Sequence, residues 1–212
     1  MKDLLIYVAD ADALAFIEAV LNRPKALGIR PISFVIERHP LRDAGMVQSG
    51  AELVRMKKGQ YRKALLIWDH HGSGRDHRQT PAAIEQEIQD KLNSFTWSGN
   101  SSVTVLVPEL EQWLWFCENA LAAYCGVTLD QLVQWQQERA TKLGKTPTIL
   151  KAEQPKELFE HLMRERLKRT ISPRDFKEIG QRAGVKGLLK CASFLAITET
   201  LRGWFPSDSD GL

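Results

Sequence analysis

An acid and two histidines follow a short apolar segment in the stretch LLIWDHHGSGRD, residues 65–76. Apolar residues that end in Asp69 are typical of a buried strand presenting a carboxylate at its carboxyl end. His71 lies two residues later, on the same side of an extended backbone, so both side chains can face one ion. Imidazole binds manganese, iron or zinc better than magnesium, and it also suits a general base or a group that holds a water. An exposed loop histidine is the alternative interpretation of His71.

Carboxylates also follow two other predicted strands. Asp10 and Asp12 come after the first strand, and Glu109 and Glu111 come after the fourth. In an open parallel sheet the carboxyl ends of the strands meet at one edge, where ligands gather. Several carboxylates at one edge suit Mg²⁺ or Mn²⁺, which they can hold against phosphate oxygens. Structural roles are the alternative: we expect Asp12 to cap the following helix, and Glu109 and Glu111 suit a helical first turn.

A glycine-rich turn follows the histidines. Gly72 and Gly74 allow backbone amides to approach a phosphate group, and Arg75 can pair with that group. The turn lacks the GK[ST] ending of a phosphate-binding loop, which excludes an NTPase of that class. The sequence also has no GxSxG nucleophile elbow and no GxGxxG fingerprint after the first strand. Among the remaining histidines, His70 and His77 are weaker candidates for the site, and His39 and His161 are expected at the surface.

Alternating strands and helices must position these residues. We predict strands at residues 3–10, 29–37, 63–69 and 103–107, separated by helices at 11–24, 49–59 and 80–95. Ser49 and Thr80 are the expected caps of the second and third helices. Strands that are apolar throughout are typical of a parallel sheet covered on both faces. The predicted fold class is therefore α/β, with a mostly parallel four-stranded sheet sandwiched by helices, as in Rossmann-like folds.

The C-terminal part has no strand pattern after residue 108 and is predicted to be helical. We predict a core at residues 1–115, a helical part at 116–205 packed on it, and a disordered tail at 206–212. The segment KLGKTPTILKAEQP, residues 142–155, is the best candidate for an internal linker. Ser172, followed by a proline, is a strong helix start. Trp113 is expected in the core rather than on a base-stacking platform.

The composition is that of an ordinary globular protein, with 43% hydrophobic and 26% charged residues and a net charge of +3. No apolar run is long enough to span a membrane and no signal peptide is apparent. The three cysteines are widely spaced, which indicates reduced structural thiols and predicts a cytoplasmic protein. Residues 55–63 and 163–177 are locally basic, as expected of a solvated helix face or of a surface that attracts a phosphate backbone.

The sequence resembles the TOPRIM-like domains of topoisomerases, primases and overcoming-lysogenization-defect nucleases. The acidic turn after the first strand, the aspartate that ends the third strand and the block PELEQWLW (108–115) carry this resemblance. Together with DHHGSGRD (69–76) and CASFLAITETLRGWF (191–205), they are similar to a group of small TOPRIM-like proteins of bacterial antiphage defence islands, including methylation-associated systems. The resemblance covers most of the chain and is most specific in PELEQWLW and in the aspartate–glycine turn.

The resemblance also shows where this chain departs from an active TOPRIM site. In such a site a glutamate after the first strand acts in acid–base chemistry, and a DxD pair binds magnesium. Here Ala9 or Asp10 stands at the glutamate position, and His71 replaces the second acid of the pair. Asp69 alone matches the pattern directly. A manganese-type site with mixed ligands and a degenerate fold kept for partner binding are both consistent with these departures.

We therefore expect a cytoplasmic phage-defence protein that acts on nucleic-acid phosphodiesters with Mg²⁺ or Mn²⁺ as cofactor. The expected catalytic residues are Asp10, Asp69, His71 and Glu109, and the expected metal ligands are the same four and Glu111. Other defence proteins are expected partners, nucleic acid is a candidate partner, and the apolar C-terminal helices leave an oligomer open. The alternative is a catalytically degenerate subunit that serves as a protein-interaction or sensor module. A third hypothesis is a nucleic-acid binder that uses the basic C-terminal helices without a metal.

Overall fold

Four apolar segments form one sheet in the computed structural model, which describes residues 1–207. The strands are β1 (Lys2–Val8), β2 (Phe34–Arg38), β3 (Tyr61–Asp69) and β4 (Ser101–Leu106). All pairings are parallel and the strand order is β2-β1-β3-β4. The predicted α/β fold class is confirmed. Of the predicted tail, residues 208–212 lie outside the described residues, whereas Pro206 forms an isolated antiparallel bridge with Ile29.

The N-terminal helices connect the strands. They are α1 (Ala11–Leu21), α2 (Pro24–Leu27), α3 (Arg42–Arg55) and α4 (Pro81–Leu92), the last continuing into a π-helical turn at Asn93–Trp97. The cap predicted for α4 is confirmed, because Thr80 Oγ1 accepts a hydrogen bond from the backbone N–H of Ala83 at 3.3 Å.

The start predicted for α3 is wrong. This helix begins at Arg42, and Ser49 lies inside it, where its hydroxyl donates to the carbonyl of Gly45 at 3.4 Å. The helix predicted at 49–59 omits this first turn, where Arg42 and Asp43 interrupt the apolar pattern. The buried residues of this helix recur at helical spacing, at Met46, Val47, Gly50, Ala51 and Val54, and their packing carries the helix through that turn.

Eight helices make up the described C-terminal part. They are α5 (Gln112–Trp115), α6 (Glu118–Cys125), α7 (Leu129–Lys142), α8 (Pro147–Glu153), α9 (Pro155–Glu160), α10 (Pro173–Arg182), α11 (Val185–Leu188) and α12 (Ala192–Trp204). A π-helical segment, His161–Arg166, extends α9. The linker predicted at 142–155 is wrong, because α8 occupies half of it, capped by Thr146 and anchored by the buried Leu150. The start predicted at Ser172 is confirmed, with a capping box to Asp175.

The two faces of the sheet pack in two hydrophobic clusters. Leu5, Tyr7, Leu66 and Trp68 face α3 and α4, whereas the alternate residues of β1 and β3 face α1 and the C-terminal helices. Trp113 is 1% exposed and packs against Phe16 and Phe194, as expected for a core residue. All three cysteines are free, and two of them are buried. No helix within residues 1–207 has the length and apolar character needed to cross a membrane.

Candidate functional site

Asp69 ends β3 at the floor of the carboxyl edge of the sheet. Its Oδ1 accepts a hydrogen bond from the backbone N–H of Leu110 at 2.9 Å, and its own N–H donates to Asp43 Oδ1 at 3.0 Å. Burial raises the pKa of Asp69 well above its usual value, and the nearby carboxylates raise it further, Glu111 and Asp43 most of all. The carboxylate thus ties the end of β3 to the chain that follows β4.

Glu111 and Glu109 reach the same edge from that chain. Glu111 is only 7% exposed, and burial raises its pKa to about 7, with the cation of Lys156 limiting the rise. Glu109 lies 3.6 Å from His71, measured between Oε1 and Nδ1, and burial raises its pKa as well. The His71 side chain remains about half exposed, with 51% of its surface accessible. Asp69, Glu109, Glu111 and His71, all predicted from the sequence, therefore lie at one edge.

Asp10, rather than Asp12, caps α1. Asp10 is the cap of α1, since its Oδ1 accepts from the backbone N–H groups of Asp12 (3.1 Å) and Ala13 (2.9 Å). Asp12 instead projects from the first turn, where burial and the charge of Asp10 raise its pKa to about 6. The prediction that Asp12 caps the helix is wrong, because the extended backbone of Asp10 places that residue at the cap position.

The glycine turn after β3 packs over the acids. Gly72 and Gly74 have φ values of +82° and +74°, in the region where glycine is favoured, and a Cβ at Gly72 would lie 3.4 Å from Asp43 Oδ2. Arg75 points along α4, where its Nη1 contacts Glu87 Oε2 at 2.5 Å and Gln79 Oε1 at 3.1 Å. A phosphate-binding role for this turn stays a prediction. The guanidinium group of Arg75 already has a carboxylate partner, Glu87.

Sequence reasoning missed two charged residues of the site. Asp43 lies in the first turn of α3, before the start predicted for this helix, and burial raises its pKa. Lys156 comes from α9 and interacts with Glu111, Glu109 and Asp69; burial lowers its pKa, but these carboxylates raise it above the ordinary value. The indole N–H of Trp115 donates to the carbonyl of Pro155 at 3.0 Å, which fixes the start of α9 beside the acids. No spacing rule connects Lys156 with a site formed more than forty residues earlier in the chain.

The two histidines expected at the surface, His39 and His161, are less exposed than expected, whereas the side chain of His77 is 93% exposed. His39 is 4% exposed rather than a surface residue, and its ring contacts Ser49 Oγ at 3.0 Å and the backbone N–H of Leu41 at 3.1 Å. His161 is half-buried, and its Nε2 has no hydrogen-bond partner among the described residues. His70 Nε2 lies 3.1 Å from the carbonyl of Gln79, which gives it a structural role in the glycine turn.

The donor types at this edge fit a hard divalent cation. Carboxylate oxygens are the ligands that Mg²⁺ and Mn²⁺ favour. Burial, and to a smaller extent the neighbouring carboxylates, raise the pKa values of Asp69 and Glu111, so a bound cation would be favourable here. Within the described residues, however, no three His, Cys, Asp or Glu side chains are arranged to surround one ion. Side-chain rotation is therefore needed before the acids can act as one set of ligands.

Comparisons of this chain with models of protein families, with curated proteins and with solved structures gave no match. The functional argument therefore depends on the fold and on the geometry of this edge.

Proposed function

We propose that this chain is a TOPRIM-like component of a bacterial phage defence system that binds Mg²⁺ or Mn²⁺ and acts on nucleic-acid phosphodiesters. The observation that carries the proposal is the convergence of Asp69, Asp43, Glu109 and Glu111 on one sheet edge, with the pKa of each raised. Like charges buried together are unfavourable unless protons or a cation neutralise them. A divalent cation supplies that charge at neutral pH.

Each residue has a distinct role in this proposal. Asp69 and Glu111 hold the cation at the buried end, and Asp10 contributes its second oxygen, because Oδ1 already caps α1. A cation bound there polarises a phosphate and lowers the pKa of a bound water. His71 is half exposed at the mouth of the site and lies beside the largely buried Glu109, so this pair can transfer a proton to or from solvent.

The resemblance to TOPRIM-like proteins supports this assignment at the residues that define the edge. The block PELEQWLW supplies both glutamates and the two tryptophans that anchor them, Trp113 in the core and Trp115 against Pro155. The shorter acid at Asp10 and the histidine at His71 are the departures, and an imidazole ligand from His71 would favour manganese over magnesium.

A second candidate function is a catalytically degenerate module that binds a partner protein. The observation that favours it is Lys156, a cation from the chain itself beside the acids, together with the lack of a preformed three-residue ligand set in residues 1–207. In such a module the acids would bind a cationic side chain of the partner.

A calorimetric Mn²⁺ titration distinguishes the two. We expect stoichiometric binding to the wild-type protein and its loss in Asp69→Asn, which keeps the acceptor for Leu110 but removes the charge. Asp90→Asn, an equal charge change on the exposed face of α4, is the control and should bind as the wild type does. Absence of binding to the wild type would refute the metal site.

Activity is tested with labelled DNA and RNA in the presence of Mn²⁺. Cleavage that disappears in Asp69→Asn but persists in Asp90→Asn supports the nuclease. Binding of Mn²⁺ with no cleavage of either nucleic acid would favour the interaction module, and purification of partners from the native host would follow.

A further inference from the structure

A polar cleft of about 800 Å³ lies next to the acidic edge, where β1 and β2 end. Its lining includes Asp10 and Asp12 from the start of α1 and three cationic side chains, Arg38, Arg42 and Lys156. Arg38 ends β2, Arg42 begins α3, and Lys156 is the cation already described beside Glu111. One wall of the cleft is thus continuous with the acidic edge. The rest of its lining carries the three cations and one further carboxylate, Glu37, which forms a salt bridge with Lys57.

None of the three cations forms a salt bridge with a described residue, although Lys156 interacts at longer range with Glu111 and Glu109, and Arg42 with Asp12. In residues 1–207, no Asp or Glu oxygen lies within 4.0 Å of the charged nitrogens of Arg38, Arg42 or Lys156. Six other arginines form salt bridges with described carboxylates, among them Arg30 with Asp3 and Arg75 with Glu87. Arg38 and Arg42 are both exposed, so an anion from solution can reach them.

The backbone at Arg42 gives a second, independent observation. Its φ is +50°, a left-handed conformation that residues with a side chain rarely adopt and that is concentrated at functional sites. The preceding residue, Leu41, provides no side-chain hydrogen bond to cap α3, which is 14 residues long. The positive end of this helix lies near the cleft, where Arg42 is part of the lining, with Asp43 in the first turn. The N–H groups of Leu41 and Arg42 donate to Nδ1 and to the carbonyl of His39.

We infer that the cleft binds a phosphoryl group, held by Arg38, Arg42 and Lys156, from either a polynucleotide backbone or a mononucleotide. Guanidinium groups bind phosphate oxygens through paired hydrogen bonds, and an uncapped helix start adds a favourable dipole. The inference rests on the proposed function in one respect: a metal cation held by the acids would lie beside the phosphate. It assigns phosphate binding to the end of β2 and the start of α3, and not to Arg75.

The test is a salt series of oligonucleotide binding, measured by fluorescence anisotropy with labelled oligothymidylate in EDTA and in Ca²⁺. Arg38→Gln and Arg42→Gln each remove one phosphate contact, which should lower the magnitude of the logarithmic salt slope by about 0.7. Arg62→Gln is the matched control, because this exposed arginine is at the amino end of β3, on the opposite edge of the sheet. We expect it to leave the slope unchanged.

Competition by thymidine monophosphate and by inorganic phosphate identifies the source of the phosphoryl group. Displacement by the mononucleotide at concentrations equal to those of the oligonucleotide indicates a mononucleotide site, whereas displacement only by polynucleotide indicates a backbone site. No binding of any probe in either buffer would overturn the inference. So would salt slopes for the Arg38 and Arg42 variants that equal the slope of the control.

The same variants separate this inference from the proposed function. Mn²⁺ binding that persists in Arg38→Gln and Arg42→Gln while the salt slope falls supports both. Reduced salt slopes in a protein that binds no Mn²⁺ would leave the phosphoryl site standing and refute the metal-dependent activity.

Discussion

Replacement of Glu111 by glutamine should stabilise the protein, and the gain should depend on pH. Burial raises the pKa of Glu111 from the ordinary 4.5 to about 7, so the folded protein holds a proton that the unfolded chain releases between these values. Because the folded state binds more protons, stability falls as pH rises through this window, and the whole penalty is present above about pH 7. Below about pH 4.5 both states are protonated and the penalty disappears.

The magnitude follows from the same two values. At about 1.4 kcal/mol for each tenfold change in the acid constant, a rise in pKa from 4.5 to about 7 corresponds to about 3 kcal/mol. Glutamine carries no charge at any pH, so Glu111→Gln removes this penalty. Its effect on packing and hydrogen bonding is the same at both ends of the window and cancels in the comparison. The variant should therefore gain about 3 kcal/mol relative to wild type between about pH 4.5 and pH 8.

Urea unfolding in EDTA, followed by circular dichroism at these two pH values, measures the gain. Glu178→Gln is a useful contrast: the hydrogen bond from Arg182 lowers the pKa of this exposed glutamate, so its replacement should be less favourable at the higher pH. An equal effect of Glu111→Gln at the two pH values, or a loss of stability that grows with pH, would refute the reasoning. Addition of Mn²⁺ should stabilise the wild type more than the variant at about pH 8, because only the wild type has the buried charge to neutralise.

Three further predictions concern the residues around the site. Lys156→Gln removes the cation that lowers the pKa of the neighbouring glutamates, so these pKa values should rise further. The variant should therefore be about 1 kcal/mol less stable than the wild type near pH 8, as measured by urea unfolding. Arg42→Gly should relieve the left-handed backbone and raise the free energy of unfolding by about 0.5–1 kcal/mol, while it abolishes the contribution of this residue to oligonucleotide binding. Gly45→Ala would place a Cβ 2.1 Å from Nδ1 of His39, so we expect a loss of about 2 kcal/mol in thermal unfolding; Gly203→Ala, with open space around it, is the control and should be neutral or stabilising.

The sheet could be predicted from the sequence because its two central strands, β1 and β3, are buried on both faces. Residues 64–68 of β3 are all buried, and a run of that kind leaves an unmistakable apolar segment between polar turns. Thr80 and Ser172 marked helix starts through local hydrogen bonds that depend only on adjacent residues. The start of α3 could not be predicted in this way, because Arg42 has a left-handed backbone and Leu41 offers no cap.

The candidate site was partly predictable for a related reason. Asp69, Glu109 and Glu111 follow strands directly, so the parallel topology alone brings them together. Asp43 requires knowledge of where α3 begins, and Lys156 requires knowledge of how α9 packs against Trp115. Local sequence patterns identify residues that lie at strand ends. A site residue that lies on a helix distant in the sequence can be identified only from the tertiary structure.

Glu111 and Arg42 are both energetically unfavourable and have opposite charges. Their combination helps to distinguish the two candidate functions. Glu111 is a buried acid that glutamine could replace with a gain in stability. Arg42 is a cation without a salt bridge to a described residue, on a left-handed backbone that glycine could relieve. A partner protein that inserts a lysine or arginine would neutralise the acid and leave Arg42 without a counter-charge. A divalent cation bound together with a phosphoryl group would neutralise both, since the cation contacts the carboxylates and the phosphate contacts the guanidinium. The pairing of these features along one continuous edge therefore favours chemistry on a phosphate over a purely adaptor role.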